Sequence, residues 1–314
     1  MTRLHLVGGF LGSGKTTAIA AAAKLLIAQG VRVGVVTNDQ GKYLVDTAFF
    51  AHESVPAVEV TGGCFCCNYD DLAARLSELR DAVRPDVIFA ESVGSCADIV
   101  ATVVQPLLAL RGVDLPPSSL SIFADARLLW RHLRGESLPF SDDVVYVYEE
   151  QLAEASLVVV NKVDLLSPEQ QSELPALLAF GLPGKRIRLQ NSLSTESVAG
   201  WLNEIETGLL VLPESQLDID YDRYGEGEAR LAWLDEVVDI VVPEAAAPGA
   251  LRSAVAVAIT SIVQGIGAST RAIGHCKFIV YGRDGEAKVS FTAADTSRSE
   301  EHTSELQSPN CISY

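Results

Sequence analysis

Positive charge is scarce in this chain. Lys and Arg number 24 against 41 Asp and Glu, a formal net charge of −17. That balance speaks against nonspecific nucleic-acid binding and against an anionic membrane surface, since both call for a basic face. Histidine is nearly absent too, with five scattered residues and no His-rich stretch to store metal. No apolar run reads as long enough to cross a bilayer, and the chain opens directly on a strand-like segment without a signal-peptide pattern. The expectation is a cytoplasmic protein with no membrane partner. Aromatics are only 7% of the 314 residues, while apolar residues make up 48%, much of it Ala, Val and Leu. Such a composition suits an α/β protein with one large domain and a smaller one. The six cysteines are unevenly spread, three of them at 64, 66 and 67. Clustering of that kind, without an export signal, favours thiolates over a disulfide framework.

What is present is concentrated in residues 6–17, LVGGFLGSGKTT. Gly9, Gly14, Lys15 and Thr16 fill every fixed position of G-x-x-x-x-G-K-[ST]. Glycines let backbone amides curl around a polyphosphate, because positive φ costs them nothing. The following helix presents its N-terminal amides to the phosphates. Gly12, Ser13 and Thr17 complete the expected phosphate-binding set. Lys15 is placed to reach the β- and γ-phosphates, and the Thr16 hydroxyl to ligate Mg²⁺.

Seven apolar runs read as strands: Leu4 to Val7, Arg32 to Thr37, Ala57 to Thr61, Val87 to Ala90, Leu120 to Ala124, Leu157 to Val160 and Arg186 to Leu189. Helical periodicity falls between them over Asp70 to Val83, Ala97 to Leu110, Asp143 to Ala155, Glu169 to Phe180 and Glu196 to Ile205. Alternation predicts a P-loop NTPase fold, a mostly parallel sheet flanked by helices, with ligands at the carboxyl ends of its strands. The domain is expected to span 1–207 and an acidic linker 208–229. A small α+β domain follows over 230–297, with a strand within Leu231 to Val242, a helix over Gly249 to Val263 and a hairpin around Gly282 to Gly285. Arg298 to Ser308, RSEEHTSELQS, resembles the translation of a sequencing-library adapter. Residues 298–314 are therefore expected to be a non-native tail and play no part in the fold reading.

Three further motifs select the chemistry. Asn161, Lys162, Val163 and Asp164 follow VVV directly. A carboxylate at Asp164 accepts both the N1–H and the 2-amino protons of guanine, a donor pair that adenine lacks. Asn161 would tie this loop to the phosphate loop, and the Lys162 stem would cover the base. Asn191 and Ser192 are placed to offer backbone contacts to the guanine oxygen. Glu91 closes VIFA and is positioned to hold Mg²⁺ with Thr16, while Gly94 lets backbone approach the γ-phosphate. Gly62, Gly63, Cys64, Phe65, Cys66 and Cys67 put three thiols in four residues after a strand. A disulfide inside so short a span is strained, whereas a soft or borderline metal fits: Zn²⁺ suits three thiolates with one position open, and Co²⁺, Ni²⁺ and Cu⁺ stand as alternatives. Cys96 reads equally as a neighbour of Glu91 or a buried structural thiol. His275 and Cys276 read best as a solvated His beside a core Cys.

GGFLGSGKTT, GGCFCC, ESVG and NKVD, in this order, resemble the CobW/UreG/HypB group of SIMIBI-class P-loop GTPases, and the C-x-C-C motif resembles its CobW-like branch. The resemblance covers residues 3–207 and implies a GTPase that loads or delivers zinc or cobalt to a client metalloprotein or metal-cofactor pathway protein, with nucleotide-linked homodimerisation. The loop after the second strand departs from the group's N-E-F-G-E pattern. It reads Asn38, Asp39, Gln40, Gly41, Lys42, so one acid is kept and Lys42 replaces the other. Asp39 is the first candidate to orient the attacking water, with Asp46 second; Lys15, Thr16, Asp39 and Glu91 form the expected catalytic set. Arg127 and Arg131 have no assigned role, and slow intrinsic turnover is expected. Two other readings stand beside this one: a GTP-regulated interaction protein with structural or redox cysteines, for which the resemblance of the Asn-Asp-Gln-Gly loop to that of some relatives implies a tie to corrinoid metabolism, and a small-molecule kinase.

Overall fold

The computed structural model describes residues 2–38, 50, 54–60, 63–65, 67–109, 113–208, 218–231, 234, 236–243, 249–268, 273–282 and 285–293. The chain divides into two compact units, Met1–Trp233 and Leu234–Tyr314.

Among the described residues, the first unit is built on seven parallel strands: β1 (Arg3–Gly9), β2 (Val33–Asn38), β3 (Ala57–Val60), β4 (Val87–Glu91), β5 (Pro117–Asp125), β6 (Leu157–Asn161) and β7 (Ile187–Gln190), in the spatial order β3-β2-β4-β1-β5-β6-β7. All seven fall on the apolar runs read from sequence. β2, β4 and β6 are buried at every residue, as strands covered by helices on both faces must be. β1 lies at the centre. The chain winds outward from it on one side, returns to it through β4, and then crosses to β5 on the other side. This is a topological switch point, where a crevice opens beyond the carboxyl ends of the strands. Register puts Val7 beside Glu91 there, and Asp125 beside Asn161.

Helices α1 (Lys15–Ala28), α2 (Tyr69–Val83), α3 (Gln105–Leu108), α4 (Ala126–Leu133), α5 (Asp142–Glu154) and α6 (Pro168–Gly181) lie between these strands, and α7 (Thr195–Thr207) follows β7. Where one helix was expected from Ala97 to Leu110, a π-helical turn over Val100–Val104 leads into the single turn α3. Asp98, at φ 61°, interrupts helical geometry just before it. The sequence reading contained no helix for α4, which Asp125 caps by accepting the Arg127 N–H. On one side of the sheet, Trp201 of α7 is fully buried edge-on against Phe123, and its indole N–H donates to Ser121 Oγ at 3.2 Å.

The stretch expected as an acidic linker is in part structural. Helix α8 (Tyr221–Arg230) forms within it. Asp220 caps α8 through the Asp222 and Arg223 N–H groups, and Tyr224 packs into a cluster with Ala97, Tyr146 and Val147. The sequence boundaries at 207 and 230 therefore fall inside the first unit.

In the second unit, α9 (Ala250–Ala268) buries Val255, Ile259 and Val263, spaced at four residues, with Val289 and Phe291 of the antiparallel hairpin β8 (His275–Gly282) and β9 (Gly285–Thr292). Among the described residues of 231–242 no strand forms, contrary to expectation. By length and composition α9 is apolar enough to cross a membrane, also contrary to the sequence reading. Scattered polar residues such as Arg252, Thr260 and Gln264 interrupt the run by eye but leave its average apolar.

Candidate functional site

The loop from β1 to α1 turns through Gly9, Gly12 and Gly14, all at positive φ. At Gly14 (φ 89°) a Cβ would sit 2.4 Å from Asn161 Nδ2, so this position demands glycine on two counts. Lys15 is 7% exposed, and its ammonium donates to the Gly9 and Phe10 carbonyls at 2.8 and 3.3 Å. It thus lies across the loop it is expected to serve. Thr16 Oγ1 donates to Glu91 Oε1 at 2.8 Å, which brings together the two residues expected at Mg²⁺ although 75 positions separate them. Both are buried, and both offer hard oxygen atoms, the donor type Mg²⁺ takes.

After β4 the backbone passes against the phosphate loop. A Cβ at Gly94 would lie 2.9 Å from the Leu11 N and 2.5 Å from its side chain. Two helices grip this segment. From α5, Gln151 Nε2 donates to the Gly94 and Cys96 carbonyls at 3.0 and 2.9 Å, and Glu154 accepts the Val100 N–H at 3.2 Å. From α8, Glu228 accepts from Ser95 Oγ at 2.9 Å, Tyr224 donates to the Ser95 carbonyl at 3.3 Å, and the Tyr221 hydroxyl donates to Asp98. Burial pushes the Glu154 carboxyl up to about 8 against the Val100 hydrogen bond.

The N-K-x-D loop meets the phosphate loop through Asn161, which is 1% exposed. Its Nδ2 donates to the Ser13 carbonyl at 2.8 Å, while its Oδ1 accepts the Ser192 N–H at 3.1 Å and hydroxyl at 2.8 Å. One amide therefore joins the loops after β1, β6 and β7. Lys162 follows at φ 65° and donates through Nζ to the Gly12 carbonyl at 2.5 Å. Asp164 stands exposed in the 3₁₀ turn Val163–Leu165.

This loop set matches the model of the CobW/HypB/UreG nucleotide-binding domain over residues 3–179. The chain belongs to the CobW/HypB/UreG family. It is 33% identical over 184 residues to the zinc chaperone YeiR of Escherichia coli (strain K12), covering 55% of this chain and 50% of the relative. It is 30% identical over 188 residues to a zinc chaperone CobW of Sinorhizobium sp, covering 51% of each. A zinc-regulated GTPase metalloprotein activator 1 of Dictyostelium discoideum is 24% identical over 270 residues, covering 77% and 53%. The chain spans about half the length of these curated relatives. Among solved structures, HypB from Helicobacter pylori in complex with nickel has a TM-score of 0.46 at 18% identity, covering 69% of this chain and 92% of that one.

The cysteine motif of this CobW/HypB/UreG member sits after β3. Asn38, at the end of β2, clamps its base: Nδ2 donates to the Val60 and Gly63 carbonyls at 3.2 and 2.8 Å, and Oδ1 accepts the Phe65 N–H at 3.0 Å. Cys64 is buried and Cys67 exposed. Cys66 and Asp39 lie outside the described residues, as do Gly62, Gln40, Gly41, Lys42 and Asp46. Among the described residues no three His, Cys, Asp or Glu side chains gather as a metal cluster. Cys96 is fully buried beside the Ala97 carbonyl, and Cys276 packs at the core of the second unit, where burial pushes its thiol up. The Asn191 and Ser192 N–H groups, expected to face the guanine oxygen, donate instead to Ser197 Oγ and Asn161 Oδ1. The Asn191 side chain closes its own turn by accepting the Leu193 N–H.

Sequence reasoning named Asn38 only as part of the loop after the second strand, without a role, and passed over Asp125, Gln151 and Glu228. Asp125 carried a usable signal, because it closes SIFA as Glu91 closes VIFA.

Proposed function

We propose that the protein is a Mg²⁺-dependent GTPase acting as a metallochaperone or metal insertase. It would couple GTP binding and hydrolysis to transfer of a metal ion held by Cys64, Cys66 and Cys67. The observation that carries the guanine reading is the single Asn161 amide that joins the phosphate loop to the N-K-x-D loop. It leaves Asp164 as the exposed carboxylate for the guanine N1–H and 2-amino group. Lys15 and the loop amides neutralise charge on the phosphoryl being transferred, and Thr16 and Glu91 hold Mg²⁺. Mg²⁺ bound there would add positive charge at the β- and γ-phosphate oxygens. Asp39 orients the attacking water.

Zinc is favoured over cobalt as cargo, because two of the matched relatives are named zinc chaperones. The segment after β4 touches the phosphate loop at Gly94 and the first unit's α8 at Ser95, so a change at the γ-phosphate has a physical route outward. Coupling between nucleotide and cargo is reciprocal in binding free energy. A client metalloprotein and a nucleotide-linked homodimer complete the proposal. The burial of Cys64 supports a second reading, a GTP-regulated interaction protein whose cysteines are structural or redox-active.

The test is Mg²⁺-dependent phosphate release from GTP and ATP. Lys15→Ala and Asp164→Ala should each abolish most GTP turnover, and no phosphorylated acceptor should form. Unchanged turnover in either variant refutes the nucleotide assignments.

A further inference from the structure

Asp125 is a buried carboxylate at the end of β5, its side chain 1% exposed. Oδ1 accepts the Arg127 N–H and Nε–H at 2.9 and 3.1 Å, and Oδ2 accepts Arg127 Nη2 at 2.6 Å. A second cation shares Oδ2: the Lys162 ammonium lies 3.3 Å away. Burial opposes ionisation of Asp125, but the charge of Lys162 and the hydrogen bonds from Arg127 outweigh it, and the carboxyl is held below the usual aspartate range. Lys162 is thereby anchored at both ends. Its ammonium is fixed between Asp125 and the Gly12 carbonyl. Its backbone takes a left-handed φ of 65°, a conformation a residue with a side chain adopts only when its surroundings enforce it. That residue launches the 3₁₀ turn holding Asp164, closed by the Leu165 N–H on the Lys162 carbonyl at 3.0 Å.

We propose that Asp125 is a positioning residue for guanine recognition, tethering Lys162 across the phosphate loop and so fixing the turn that presents Asp164. The proposal rests on the guanine reading of the site given above. It competes with a plainer role, in which Asp125 only caps α4 and pairs with Arg127.

The experiment is steady-state hydrolysis of GTP and ITP by the full chain bearing Asp125→Asn, Lys162→Met, both together, or Arg127→Met. ITP lacks the 2-amino group that Asp164 would read. Asp125→Asn should raise the KM for GTP about tenfold with kcat within about twofold, and should shrink the preference for GTP over ITP at least about threefold. Added to Lys162→Met it should change little, because both substitutions break one tether. Arg127→Met removes the guanidinium but keeps the capping backbone N–H and the Lys162 tether, and should hold KM within about threefold. An unchanged KM and GTP/ITP preference in Asp125→Asn overturns the proposal, as does full additivity with Lys162→Met. Should Asp125→Asn not fold, Lys162→Met alone carries the test: an unchanged KM and GTP/ITP preference there overturns the proposal, as does a tenfold KM rise in Arg127→Met, which breaks only the Arg127 guanidinium pair. Wild type without saturable GTP turnover would instead refute the underlying nucleotide reading.

Discussion

Replacing Asn161 by Ala removes one buried amide and disconnects three loops. Three hydrogen bonds go: Nδ2 to the Ser13 carbonyl, and those from the Ser192 N–H and hydroxyl to Oδ1. The Ser192 hydroxyl keeps a partner in Gln190 Nε2 at 3.1 Å, so two backbone groups, the Ser13 carbonyl and the Ser192 N–H, lose theirs. A buried polar group left unsatisfied costs about 1–3 kcal/mol, which puts the loss near 3 kcal/mol. For a unit of this size each kcal/mol moves Tm by about 2–4 °C, so the transition of the first unit should fall by about 6–12 °C. Differential scanning calorimetry without nucleotide reads this directly. Asn161→Asp keeps the acceptor, loses the donor and sets a carboxylate against the Ser13 carbonyl, so it should be at least as damaging. A Tm within about 2 °C of wild type for Asn161→Ala would refute the claim that this amide holds the loops together.

Gly14→Ala forces a side chain into left-handed backbone and against Asn161 Nδ2, so it should cost about 1–3 kcal/mol of stability and raise the KM for GTP; denaturant unfolding that matches wild type would contradict this. Glu154 carries a pH prediction of definite sign. Its carboxyl titrates about 8 when folded against 4.5 unfolded, so its contribution to stability is complete below pH 4.5 and drains away as pH rises toward 8. Glu154→Gln should therefore gain in unfolding free energy relative to wild type between pH 5 and pH 8, by an amount on the order of a few kcal/mol, read by denaturant unfolding at each pH. Taking the difference against wild type cancels His5, whose burial lowers its pKa to about 4 and which acts in the opposite direction, losing stability as pH falls below 6.5. A difference that stays flat or shrinks with rising pH sinks the Glu154 argument.

The sheet was legible because its strands fall on short apolar runs, three of them, β2, β4 and β6, buried at every residue, and the phosphate loop because its glycines and Lys15 have no common structural substitute. Pairing of Thr16 with Glu91, and of Asn161 with the phosphate loop, followed from placing each motif at a strand's carboxyl end. Helix α8 was hidden by composition. Its charged residues read as linker, while Tyr221, Tyr224 and Glu228, three and four residues apart, form the face that meets Ser95 and Asp98. The strand expected within 231–242 failed for the converse reason: apolar residues such as Val237, Val238 and Val241 suggested burial, yet all three are exposed. Asp125 shares with Glu91 the strand-end position but its partner Lys162 lies 37 positions away, and Gln151 had no local pattern at all, since the Gly94 and Cys96 carbonyls it holds lie 57 and 55 positions away.

Nucleotide state is proposed to govern a metal held by the cysteine motif. The most direct measurement is a zinc titration of the reduced protein, with a chelating competitor, in the apo, GDP-bound and nonhydrolysable GTP analogue-bound states, beside the double variant Cys66→Ser/Cys67→Ser. One zinc per chain is expected, lost in the variant, with an affinity that changes between GDP and the analogue. Equal affinity in all three states, or no cysteine-dependent binding in any of them, would contradict it.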